Sequence, residues 1–201
     1  MMAVAVPPPL SSFVTELDRL LADKQPDYLY RAASALKRIL LCDGNWLPPA
    51  YRKADALHYQ QYLLYRDPLS RFSIVSFVWG PGQRSPIHDH QVWGLVGTLE
   101  GGEMSQSYQA PQSPDDPPEA VGAEKRMNPG DVEVMSPALG DIHRVRNAYD
   151  DRPSVSIHVY GADIGMVSRW MYAPDRPVAS RKPFLSGYSN DSHTPPFFGM
   201  I

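Results

Sequence analysis

The chain has 201 residues, 43% of them apolar and 20% charged, enough to bury a sizeable core and too apolar for a disordered segment. A net charge of −3 and a pI near 6.0 leave no basic footprint, which excludes nucleic acid as an expected partner. The one cysteine, Cys42, excludes an internal disulfide and fits a reducing compartment. No basic segment precedes Pro7 to Pro9 and no apolar run reaches spanning length, so a cytoplasmic chain without signal peptide or membrane contact is expected.

Residues 1–10 read as a lead-in. Ser11 and Ser12 offer an N-cap for a helix over Phe13–Asp23, whose Phe13, Leu17, Leu20 and Leu21 share a face. A second helix is expected over Tyr28–Cys42, with Leu29, Ala33, Leu36, Ile39 and Leu40 on one side and a stop at Asp43 and Gly44. Both are expected to pack only. Residues 54–67 fit either a helix or a hairpin arm. Their aromatic content and the turn-like Asp67 to Ser70 favour the arm, with Tyr59, Gln61, Leu63 and Tyr65 on one face.

From Phe72 onward β signals dominate: Phe72–Trp79, Gly94–Leu99 and about Glu103–Gln109, with a tight turn at Gly101 and Gly102. The proline-rich stretch from Ala110 to Pro118 is expected to be the most mobile internal loop. Strands resume at about Asp131–Met135, Ile142–Arg146 and Ser154–Tyr160, and the tail from Ala173 has no period. Short strands at this spacing predict a mainly β sandwich or barrel with a small N-terminal helical layer. One domain is expected over 1–201, with helices in 1–50, a barrel core over 55–170 and an extended surface tail over 171–201.

The chemistry concentrates on histidines. His88 and His90 follow the Phe72–Trp79 run in an H-x-H spacing, and residues two apart on a strand project from the same face. Two such imidazoles can hold one metal ion, and His143 offers a third. Imidazole suits iron, zinc, copper and nickel alike, so the ligands do not choose the metal, and a three-histidine zinc site with bound water stays open. Alternation also puts Ser156, His158 and Tyr160 on one face of their strand, opposite Val155, Ile157 and Val159. If buried, that polar stripe needs hydrogen-bond partners. His58 and His193 read as surface residues.

The two histidine modules resemble those of the cupin superfamily, which implies a jelly-roll barrel around a metal. The first cupin module is G-x5-H-x-H-x3,4-E-x6-G. Gly82, His88 and His90 match it, but Gly94 and Leu95 stand where its Glu is expected. The second is G-x5-P-x-G-x2-H-x3-N. Gly130, Pro137 and Gly140 follow it with each inner gap one residue longer, and Gly140, His143 and Asn147 fit as written. Without the Glu the metal would keep its full double charge, which favours anionic ligands such as thiolate or carboxylate. Three facial histidines would leave up to three positions open.

Ser156-x-His158-x-Tyr160 after the third histidine, with Trp79 to Gly82 leading into the first pair, is similar to the thiol dioxygenases: cysteine dioxygenase and its bacterial relative, 3-mercaptopropionate dioxygenase. The resemblance covers roughly residues 55–170. It implies Fe(II) on His88, His90 and His143, an outer relay of Tyr160, His158 and Ser156, and oxidation by O2 of a small thiol carboxylate to its sulfinic acid. Mammalian members carry a cysteine crosslinked to the tyrosine. Here Trp93, Gly94 and Leu95 occupy that neighbourhood and no crosslink can form. By spacing, Gln61 replaces the arginine that binds the substrate carboxylate, as in the bacterial glutamine type, with Arg169 as the second basic partner. That leans towards 3-mercaptopropionate over L-cysteine. A monomer is expected. Another metal-dependent cupin enzyme (an isomerase or carbon-cleaving dioxygenase) and a non-enzymatic ligand-binding cupin are the alternatives.

Overall fold

The computed structural model describes residues 7–191; His193 lies outside them. Helix α1 spans Pro8–Asp23 and so starts before the expected serine cap. Proline at the first helical position has its φ pre-set and no N–H to lose, and the Ser11 hydroxyl donates instead to Pro8 O at 2.9 Å. Helix α2, Tyr28–Leu40, ends short of Cys42, whose thiol donates back to Arg38 O. Its buried face is Ala32, Ala35, Leu36, Ile39 and Leu40, with Leu29 and Ala33 at the margin. Each large side chain buried this way contributes about 1.5–3 kcal/mol.

The strands in chain order are β1 (Gln60–Arg66), β2 (Ser73–Trp79), β3 (Ile87–His88), β4 (Gly94–Glu100), β5 (Glu103–Gln109), β6 (Glu119–Met127), β7 (Val132–Met135), β8 (Ile142–Asn147), β9 (Ser154–Tyr160), β10 (Arg169–Tyr172) and β11 (Lys182–Phe184). They form a five-stranded sheet, β1-β2-β9-β4-β7, facing a six-stranded sheet, β11-β10-β3-β8-β5-β6. The pairings are antiparallel throughout. This is the mainly β jelly-roll barrel with an N-terminal helical layer that the sequence implies.

Side-chain alternation divides the first sheet into two jobs. Ile74, Val78, Leu95, Leu99, Val155, Ile157 and Val159 pack outward against the helices. Gly97 is required there, because a Cβ would lie 2.5 Å from Leu40 Cδ1. Val75, Phe77, Trp79 and Tyr160 point the other way and meet Val145 of the second sheet inside the barrel. The polar stripe of β9 is therefore interior.

Several expectations change. Of residues 54–67, Gln60–Arg66 form the arm, but a register shift between Leu63 and Tyr65 breaks its alternation. Tyr59 and Leu63 face the interior, whereas Tyr65 turns out to stack on Phe72 at 5.5 Å. The strand bearing His88 ends there, so His90 sits in the following turn rather than on a strand face. β6 carried no sequence signal because its face is polar and largely exposed. The loop after Ala110 is tied down through Val178 N to Asp116 O and Ala179 N to Pro114 O. The tail does more than wrap the surface: it supplies β11 and buries Ser186 and Tyr188.

Candidate metal centre

His88 and His143 are paired directly across β3 and β8, and His90 swings in from the turn beyond β3. That turn is held by two carboxylates. Asp141 accepts from the backbone N–H groups of His90 and Gln91 at 3.2 and 3.0 Å. Asp89, itself buried, accepts from Trp170 N and from the Tyr172 hydroxyl, both at 2.9 Å. The H-x-H segment is thereby fastened to β10, which begins at Arg169.

The potential ligand atoms of His88, His90 and His143 lie within 4.8 Å of one another. His88 Nδ1 donates to Pro86 O at 3.0 Å, which fixes its tautomer and leaves Nε2 with a lone pair. Both ring nitrogens of His90 and Nδ1 of His143 are buried without a hydrogen-bond partner. Buried polar atoms are rarely left so. Burial, helped by the Arg169 charge, pushes His88 down to about 4. Burial and the neighbouring imidazoles hold His90 and His143 well below the usual histidine range. Three neutral, converging imidazoles fit a divalent transition metal.

Beside them runs the stripe of β9. Tyr160 Oη lies 2.8 Å from His158 Nδ1, and Ser156 Oγ lies 2.9 Å from His158 Nε2. The His158 ring stacks on Phe77 with centroids 4.0 Å apart, and burial pushes it down to about 3. Burial raises Tyr160, so its hydroxyl stays neutral. The Tyr160 ring packs edge-on to His90 at 5.2 Å. Gly94, not Trp93 or Leu95, is the residue directly opposite Tyr160.

Gln61, His88, His143, His158, Tyr160 and Arg169 line one pocket; His90 and Ser156 stand just behind it, fully buried. Arg169 is 3% exposed. Its guanidinium lies over the Phe184 ring at 4.6 Å and donates to the Ser186 hydroxyl. Its Nε has no partner, and among the described residues no carboxylate forms an ion pair with it. Burial lowers its pKa. The pocket wall also includes Phe77, Trp79, Phe184 and Ser186. Alternation along β2 could have placed the first two inside, but nothing local in the tail marks Phe184 or Ser186. His58 is exposed, as expected.

A sequence profile described as cysteine dioxygenase type I matches residues 45–171, more than half of the chain. Among solved structures, a protein with a double-stranded β-helix domain from Klebsiella pneumoniae subsp. pneumoniae is 14% identical, covering 62% of this chain and 92% of its own, with a TM-score of 0.47. An RmlC-like cupin protein from Desulfovibrio desulfuricans is 21% identical over 54% of this chain and 87% of its own, with a TM-score of 0.40.

Proposed function

The chain belongs to the cysteine dioxygenase type I family, and from that premise we propose that it is an Fe(II) thiol dioxygenase acting on a small thiol carboxylate. One observation carries the substrate class. Among the described residues, a buried guanidinium without a carboxylate ion pair shares a pocket with the imidazoles of His88, His143 and His158 and the Tyr160 hydroxyl. A buried unpaired cation is costly until an anion joins it, and a carboxylate is its natural bidentate partner.

A ferrous ion held by His88, His90 and His143 would supply open coordination positions for the substrate sulfur and for dioxygen. Arg169 binds the substrate carboxylate, with the Gln61 amide as a second donor. The Tyr160 hydroxyl, backed by His158 and Ser156, orients the sulfur end by hydrogen bonding. Phe77 and Val145 keep the pocket dry, which strengthens each of these contacts. The balance is one thiol and one O2 giving one sulfinic acid, both oxygen atoms ending on sulfur, so no external reductant is consumed.

Among thiols we place 3-mercaptopropionate ahead of L-cysteine. Gln61 stands where the mammalian type has arginine, and among the described residues no carboxylate lines the pocket to receive the ammonium group of cysteine. All of these residues come from one chain, so a monomer suffices. We assign it to the cytoplasm, in keeping with an exposed free Cys42; among the described residues no helix is long and apolar enough to cross a membrane.

The test is oxygen uptake by iron-loaded protein with the two thiols side by side. Sulfinate formation with a higher kcat/KM for 3-mercaptopropionate is expected. Iron bound at one per chain with no uptake for either thiol would overturn the reading in favour of another cupin chemistry.

A further inference from the structure

Glu103 enters the barrel from β5, on the sheet opposite the relay. It is 1% exposed, and neither carboxyl oxygen has a hydrogen-bond partner. Its neighbours across the ladder are Asn147 and Met127. Neither carries charge, and the Asn147 amide is already committed to the carbonyls of Trp79, Gly80 and Arg152. The groups that act on the carboxyl are the Ser156 hydroxyl of β9 and the Trp79 indole N–H of β2. Trp79 Nε1, Thr98 Oγ1 and Ser154 Oγ are buried and unpartnered as well. Thr98 pairs with Ser156 and Trp79 with Ser154 across the sheet. Farther along β9, His158 and Tyr160 are the titratable groups, and Glu103 acts on the latter.

The floor of the barrel thus holds hydroxyls, an indole donor and one acid. Among the described residues no cation forms an ion pair with Glu103. Burial pushes its carboxyl up to about 8, while Ser156 and Trp79 pull weakly the other way. At neutral pH the group is a carboxylic acid, with one O–H to give and one oxygen to accept.

We propose that Glu103 is a positioning residue that completes the Ser156–His158–Tyr160 chain and fixes the direction in which it points. The unpartnered Trp79 N–H is the donor on hand for the carbonyl oxygen of the acid, and that pairing would leave the acid O–H for Ser156. The Ser156 hydroxyl then donates to His158 Nε2, so His158 carries its proton on Nδ1 and donates to Tyr160. Tyr160, having accepted, presents its own O–H to the pocket. Ionised Glu103 can only accept, and every bond reverses. Ser156 donates to Glu103, His158 Nε2–H donates to Ser156, and Tyr160 donates inward to Nδ1. The pocket then meets an oxygen lone pair instead of a donor. Protonated Glu103 therefore keeps Tyr160 as a hydrogen-bond donor to whatever binds beside the histidines. The purpose of this arrangement rests on the thiol dioxygenase reading; the direction of the chain does not.

The experiment is nitrogen-15 NMR of the histidine side chains in the full-length, metal-free protein, across the range either side of about pH 8, in wild type and Glu103→Gln. Wild type is expected to hold His158 as the Nδ1–H tautomer below that pH and to pass to the Nε2–H tautomer above it. Glu103→Gln, whose NH2 replaces the acid O–H, is expected to keep the Nδ1–H form throughout. An Nε2–H tautomer at neutral pH, or identical behaviour in the two proteins, would overturn the proposal. With iron loaded, wild-type kcat should fall on the alkaline side with a limb that Glu103→Gln lacks, and Glu103→Leu should lose about tenfold in kcat, the worth of one hydrogen bond. Equal alkaline limbs in wild type and Glu103→Gln would also count against it. If no thiol is oxidised at all, the proposed function fails, and the tautomer measurement still judges Glu103 alone.

Discussion

Arg169 and Tyr160 face the same pocket with opposite assignments, charge and hydrogen-bond donation, so their variants should fail differently. Arg169→Met removes the proposed partner of the substrate carboxylate, for an expected loss of about 2–5 kcal/mol in binding. It should raise KM for thiol carboxylates and leave an uncharged thiol of the same length nearly unaffected. Steady-state kinetics on the two thiols checks this. Tyr160→Phe keeps the ring against His90 and deletes the donor. Its kcat should drop about a hundredfold, the scale of one preorganised donor lost, with iron content unchanged by metal analysis. At this scale the sequence was generous. The Ser156, His158 and Tyr160 stripe was legible from alternation along one strand, and the three histidines from two motif modules, although the turn that carries His90 was not. Glu103 was not, because its meaning depends on facing Ser156 from the opposite sheet. Ser186 was not either, because only the return of the tail brings it to Arg169.

Elements hold these residues through a few fixed contacts. The β1–β2 hairpin is clasped by Asp67, which accepts from the backbone N–H groups of Leu69 and Arg71 and from the Arg71 guanidinium; Arg71 also reaches Asp18 of α1 at 2.6 Å. Asp67→Ala should cost about 1–3 kcal/mol in urea unfolding. Hydrogen bonds from Arg71 hold Asp67 down to about 2. Its stabilisation is therefore present above about 3.8 and lost as pH falls towards 2. At the same end of the sheet, where Ser73 pairs with Tyr160, Gly161 N donates to Trp93 O at 2.9 Å, and a Cβ on Gly161 would lie 2.2 Å from Trp93 Nε1. Gly161→Ala should destabilise by about 1–3 kcal/mol and loosen the turn that carries His90, which metal titration would register as weaker binding. The Asp67 turn was readable from its residues. The bulge after Leu63 and the exposed strand β6 were not, since neither leaves a periodic apolar pattern.

For the molecule as a whole, the buried acid and the buried histidines tilt stability in opposite directions. Glu103 keeps its proton in the folded state up to about 8 but would release it near 4.5 when unfolded. The folded protein binds the extra proton between those values, so stability falls as pH rises through that window and levels off above it. The effect is on the order of a few kcal/mol, and the advantage of Glu103→Gln over wild type in thermal unfolding should grow from pH 4.5 to about 8. His88 and His158 are held neutral with values of about 4 and about 3. In the metal-free protein their contribution is whole above about 6.5 and lost as pH falls through those values. The barrel and its helical layer were legible in the sequence because alternation and helical periodicity each dictate one buried face. The tail escaped, because its ordering comes from pairing with β10 and not from any pattern of its own.

Oxygen labelling tests the proposed reaction most directly. Iron-loaded protein supplied with oxygen-18 gas and 3-mercaptopropionate in ordinary water should yield a sulfinate carrying two labelled oxygen atoms, read by mass spectrometry. A product with one labelled oxygen, or none, would mean that water or a second oxidant supplies the rest, and the dioxygenase assignment would fall.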